Sequence, residues 1–134
     1  MQDYFSVFFP NGHEKAVLLA DDYSTNRELV AIQLKRLGFH NIITATNGHE
    51  ALQIYCEKKD EILLVLSDIH MPVMRGDELF WSLRKADDKS RVVLMTGNRN
   101  GFDLGSFFKA GLKGFLDKPF SFEELNHAMI GALM

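Results

Sequence analysis

Three short runs in this chain, AVLLA (Ala16–Ala20), LLVL (Leu63–Leu66) and VVLM (Val92–Met95), contain no polar residue. A strand with one face in water alternates apolar and polar residues, so runs that are apolar throughout must be covered on both faces. They are far shorter than the ~20 residues of a membrane-spanning helix. What remains is the interior of a parallel sheet, whose strands need crossover connections of a dozen or more residues, usually helical.

The intervening segments provide those crossovers. Val30, Leu34 and Leu37 recur at i, i+4 and i+7, with Leu29 and Ile32 widening the stripe and Gly38 ending it. Leu79, Phe80 and Leu83 form a second stripe after Gly76, and Phe122, Leu125 and Met129 a third near the C-terminus. Thr25 with Glu28, Asn47 with Glu50 and Ser121 with Glu124 have the spacing of a helix N-cap and its reciprocal carboxylate. Weaker strand patterns fall at Asn41–Thr46 and Lys113–Leu116. Five strands alternating with five helices predict an α/β fold, a doubly wound five-stranded parallel sheet with helices on both faces.

Composition removes several function classes. A chain of 134 residues fits one domain, and 46% apolar with 25% charged residues is a globular balance. A formal charge of −3 without any basic run argues against a nucleic-acid surface. The single cysteine, Cys56, excludes an intrachain disulfide and leaves the redox compartment open, with a reducing cytoplasm the better fit. The opening MQDYFSVFFPNGHEK has neither the basic start nor the apolar core of a signal peptide, and no run is long enough for a membrane span.

In open parallel sheets ligands bind beyond the carboxyl ends of the strands, where helix N-termini add partial positive charge. The first strand ends in Asp21-Asp22, the third in Asp68, the fourth in Thr96 and the fifth in Lys118-Pro119. Each has an ordinary reading: the acidic pair as a cap and dipole partner, Asp68 as a turn residue, Thr96 as a strand former, Lys118 as a solvated cation. Together they make a different case. Carboxylates crowded at one edge repel, a cost tolerated mainly around a cation. Hard oxygen ligands with room for water suit magnesium, which also favours phosphate oxygens. A hydroxyl and an ammonium facing the same centre complete a phosphoryl site.

The ordered set ADD (Ala20–Asp22), LSDIHMPVMRG (Leu66–Gly76), LMTGN (Leu94–Asn98) and FLDKPF (Phe115–Phe120) resembles the receiver domain of two-component response regulators. The likeness runs from Ala16 to Met134, leaving residues 1–15 as an N-terminal extension and 16–134 as the receiver domain. It implies the flavodoxin-like strand order 2-1-3-4-5. It makes Asp68 the phosphoacceptor, and Asp21, Asp22, Asp68 and the His70 backbone carbonyl the holders of Mg2+, with Mn2+ as its substitute. Thr96 becomes the switch hydroxyl, Lys118 the phosphate-pairing lysine and Phe115 the switch aromatic, with a cis peptide at Lys118-Pro119. It also implies a cytoplasmic protein that is not a conventional turnover enzyme. The implied partner is a sensor histidine kinase or phosphotransfer protein, whose phosphohistidine Asp68 would attack.

Competing classes are a phosphorylation-independent pseudo-receiver, a haloacid dehalogenase-like phosphatase and a flavodoxin-like cofactor binder. The first lacks one of the key residues, and here all are present. The second needs its nucleophile after the first strand, and the third a phosphate-binding loop where this chain has the acidic DDYSTNR. Three local expectations remain. The segment NRNGFDLGSFFKAG, with Gly101 and Gly105, predicts a short, late-starting or mobile fourth helix. Trp81, off the Leu79–Leu83 stripe, is a candidate partner contact. Tyr4, Phe5, Phe8 and Phe9 are apolar enough to dock on the domain, a neighbour or a second copy, with a turn at Asn11-Gly12.

Overall fold

The computed structural model describes residues 14–134. The aromatic extension and the turn at Asn11-Gly12 therefore lie outside the described residues. Five strands, β1 (Ala16–Ala20), β2 (Ile42–Ala45), β3 (Ile62–Asp68), β4 (Val92–Thr96) and β5 (Gly114–Asp117), form one sheet. Its order is β2-β1-β3-β4-β5 with every neighbouring pair parallel. The helices are α1 (Ser24–Leu37), α2 (Gly48–Lys58), α3 (Gly76–Ala86), α4 (Leu104–Lys109) and α5 (Phe122–Leu133), with a short 3₁₀ turn at Lys59–Glu61. This is the doubly wound architecture expected from the all-apolar runs, with the flavodoxin-like strand order that the family resemblance implied. Among the described residues no helix is long and apolar enough to cross a membrane.

The central strands are buried on both faces, and successive residues divide between two cores. Val17 and Leu19 pack with Val30, Leu34, Leu125 and Met129 beneath α1 and α5. Leu18 and Ala20 pack with Ala51, Leu79, Phe80 and Phe107 beneath α2, α3 and α4. The period-2 geometry of a strand turns each apolar run into two half-cores.

Helix ends follow the sequence signals in part. Gly38 closes α1 at φ 110°, with Phe39 N–H reaching the Leu34 carbonyl and the Phe39 ring buried, a Schellman-type end. Ser121 and Glu124 form the expected reciprocal box. Asn47 accepts from Glu50 N–H, but the Glu50 carboxylate takes the Thr46 hydroxyl instead of closing a box. The expected Thr25–Glu28 cap is absent. Helix α1 starts earlier, at Ser24, and the loop amide of Tyr23 is satisfied by the Asp21 carboxylate. The α1 stripe is also narrower than expected: Val30, Leu34 and Leu37 are buried, whereas Leu29 and Ile32 face solvent.

Helix α4 is short and late-starting, as the glycines suggested, for a partly different reason. Gly105 lies in it, but Gly101 precedes it at φ 75°, in a left-handed turn. Alanine at position 101 would strain that turn rather than lengthen the helix. Gly76, the first residue of α3, has a stricter role. A methyl group there would collide with the Asp68 carbonyl oxygen, so only glycine lets α3 begin against the end of β3. Gly131 in α5 has nothing near its missing Cβ. Urea unfolding should show Gly76→Ala destabilised by about 2 kcal/mol or more. Gly131→Ala should gain about 0.5–1 kcal/mol.

Candidate functional site

Register brings the strand-end residues together. Asp68 is the last residue of β3 and sits opposite Met95, one residue before Thr96. Thr96 is in turn opposite Asp117, which puts Lys118 one step beyond the edge, and the Lys118 amide donates to the Thr96 carbonyl at 2.7 Å. Asp21 follows β1 directly, its amide bonded to the Ala45 carbonyl. The peptide joining Lys118 to Pro119 is cis.

Carboxylate oxygens of Asp21, Asp22 and Asp68 all lie within 4.8 Å of one another, the one such grouping of potential metal ligands among the described residues. The Lys118 ammonium is 2.9 Å from Asp68 Oδ2 and 3.4 Å from Asp21 Oδ2. Asp21 is fully buried, Asp68 nearly so, and Asp22 exposed. Asp22 and His70 line one open cleft with Met71, Pro72 and Arg75. One ammonium against three carboxylates leaves a deficit of positive charge.

Burial pushes the Asp21 carboxyl above its ordinary value, and the charge of Asp68 adds to the push. The Tyr23 amide and the Lys118 ammonium oppose it without cancelling it. The Asp21 backbone is held as well, because Arg27 on α1 donates to its carbonyl at 2.7 Å. Arg27 carried no sequence signal, since its contact depends on the tightness of the β1–α1 turn.

The loop from His70 to Arg75 is rigidly built. Met74 N–H closes a γ-turn on the Pro72 carbonyl, and Val73 sits at its apex with φ 67°, a costly conformation for a β-branched residue. The Met74 carbonyl accepts from Gly48 N–H at 3.0 Å, and a methyl on Gly48 would collide with that carbonyl. Neither the strained Val73 nor the approach of Gly48 was legible beforehand.

The β4 side is arranged differently. Thr96 is buried, and its hydroxyl accepts from Asn98 N–H and donates to the Asn98 carbonyl, both at 3.1 Å. It is thus committed to its own loop rather than to the carboxylates, because the chain turns sharply after β4. The exposed His70 ring approaches the same carbonyl at 3.4 Å. Phe115 is half-buried in β5, stacked on Phe102, with the Arg99 guanidinium over its ring and Arg99 paired to Asp117.

A raised carboxyl pKa means the folded protein binds the Asp21 proton more tightly than the unfolded chain does. The resulting stabilisation is complete below the unfolded value of 3.8 and is lost as pH rises through the folded value, so ionised Asp21 weakens the fold at neutrality. Asparagine retains the oxygen that serves Tyr23 N–H. Without divalent cations, thermal melts should therefore show Asp21→Asn with a higher Tm at about pH 7, the advantage fading toward about pH 4.

A family model described as the response regulator receiver domain matches residues 17–130. Two-component response regulator 24 of Arabidopsis thaliana is 33% identical over 126 residues, covering 92% of this chain and 89% of that protein. The autoinducer 1 sensor kinase/phosphatase LuxN of Vibrio campbellii is 29% identical over 119 residues, but this chain spans only 14% of its length. Among solved structures, the regulator TrrA of Thermotoga maritima, in complex with Mg2+-BeF, is 30% identical with a TM-score of 0.78. That alignment covers 89% of this chain and 99% of TrrA. With the family match spanning most of its length, the chain belongs to the response regulator receiver domains of two-component systems.

Proposed function

We propose that this receiver domain, residues 16–134, accepts a phosphoryl group on Asp68 and converts it into a change of protein-interaction surface in the cytoplasm. The observation that carries the reading is the grouping of three carboxylates around Asp68, with an ammonium 2.9 Å from its oxygen. The charge deficit and the all-oxygen donor set fit a hard divalent cation. Asp21, Asp22 and Asp68, with the His70 backbone carbonyl, are the residues to hold Mg2+, or Mn2+ in its place. Bound there, the ion supplies positive charge beside the phosphoryl oxygens. The Mg2+-BeF complex of TrrA supports the same chemistry here.

The donor is a phosphohistidine on a sensor histidine kinase or phosphotransfer protein. An Asp68 carboxylate oxygen attacks phosphorus as the P–N bond breaks; its electron pair stays on the imidazole, which carries a proton on the other ring nitrogen and so leaves neutral, and an acyl phosphate remains. Lys118 leaves the carboxylate for a phosphoryl oxygen, so little charge reorganisation is needed. Water later attacks phosphorus, breaking the bond to the Asp68 oxygen, releasing inorganic phosphate and returning the free carboxylate. Receiver domains are signalling modules rather than conventional enzymes, and the product is the switch itself. Thr96 exchanges its Asn98 contacts for a phosphoryl oxygen, and Phe115 follows into the space released.

Incubation with acetyl phosphate and magnesium should add one phosphoryl group by intact mass, and Asp68→Asn should abolish the addition. Lys118→Ala should accept the group but lose most of the accompanying change in hydrogen exchange over residues 99–109. Equal uptake by Asp68→Asn would remove Asp68 as acceptor. No uptake by either form would favour a phosphorylation-independent docking module.

A further inference from the structure

Resting on the phosphoacceptor reading of Asp68, we propose that the state of Phe115 is carried through Phe102 and Phe107 to Trp81, making helix α3 a second reporting face of the site. The rings form a continuous path. Phe115 and Phe102 stack at 5.5 Å and 24°, and Phe102 lies 4.5 Å from Phe107. Phe107 lies 5.2 Å from Trp81 and 5.3 Å from Phe80, and Trp81 also packs edge-on against Phe80. Phe80 and Phe107 are buried in the core under α3 and α4, whereas Trp81 is 47% exposed. The path thus starts in β5, where Phe115 lies in register with Leu94 of β4, and surfaces on α3.

The middle of the path is its movable part. Phe102 belongs to no helix. Its amide closes a turn on the Arg99 carbonyl, and its carbonyl accepts from Leu104 N–H, so two short turns hold its backbone. Its ring is held by Phe115 on one side and Phe107 on the other. The far end of α4 is fixed instead. Arg84 of α3 donates to the Ala110 carbonyl at 3.0 Å and to the carbonyls of Asp88 and Ser90. A methyl at Gly111, which has φ 107°, would lie 2.8 Å from that guanidinium. Helix α4 is therefore pinned at its C-terminal end and joined at its start by aromatic contact. When Phe115 turns away, Phe102 loses one of its two ring partners. Close-packed rings do not absorb such a shift in empty space, so it is passed to Phe107 and Trp81.

Trp81 is the only tryptophan, so its fluorescence reads the end of the path directly. In the full chain, beryllium fluoride with magnesium should change Trp81 emission saturably, and Asp68→Asn should remove the change. Phe102→Leu keeps apolar bulk but removes the ring face; it should cut the emission change at least threefold while phosphoryl uptake at Asp68, read by mass, persists. An unaltered emission change in Phe102→Leu, or a silent Trp81 in a phosphorylated wild type, overturns the proposal. A second arm does not depend on phosphorylation. Phe115→Leu should shift Trp81 emission in the unmodified protein, and the shift should vanish when Phe102→Leu is also present. A Trp81 signal indifferent to Phe115→Leu overturns the relay even if Asp68 is the acceptor. Failed uptake with this second arm intact overturns the acceptor reading alone.

Discussion

Three carboxylates at the mouth of a parallel sheet repel one another, and the surrounding structure is organised to hold them there. Lys118 offsets part of the charge through contacts with Asp68 and Asp21. The Tyr23 amide occupies one oxygen of Asp21, and Arg27 secures its backbone. What remains is a standing cost of holding the Asp21 charge: burial is the main cause of the upward push on its carboxyl, and the charge of Asp68 adds to it. A site under that tension responds strongly to an arriving cation, because positive charge among the carboxylates relieves it.

The tension is usable only if the frame does not yield. On the β1–β3 side it is stiff: Gly76 lets α3 start against the Asp68 carbonyl, and Gly48 clamps the Met74 carbonyl of the γ-turn loop. On the β4–β5 side the structure is softer. The Thr96 hydroxyl bonds within its own loop, α4 has six residues, and the half-exposed Arg99–Asp117 pair contributes little in water. A well-braced half that holds the charge beside a more lightly held half is the division that the proposed switch would use.

Much of this was legible in the residues. Unbroken apolar runs required strands covered on both faces, and the helical stripes between them required crossovers. Together they place Asp21, Asp22, Asp68, Thr96 and Lys118 on one edge. The errors were local. Leu29 and Ile32 look like core in a helical stripe, but solvent exposure depends on how far around α1 its neighbours reach, which no periodicity encodes. Thr25 looks like a cap, but α1 already begins at Ser24, which puts Thr25 inside the first turn instead of before it.

The sequence by itself determined the fold class, the strand ends and the chemical types gathered there, because these follow from periodicity and from the fixed direction of parallel strands. Only the tertiary structure decided the relations among them. Lys118 lies 97 positions from Asp21 and 50 from Asp68, yet touches both, because register across the four strands β1, β3, β4 and β5 sets those distances. The Thr96 hydroxyl bonds to Asn98 because of a loop conformation, and Phe102 bridges Phe115 to Phe107 because α4 starts late. Contacts of this kind depend on how elements pack, and packing is a property of the whole molecule rather than of any local stretch of residues.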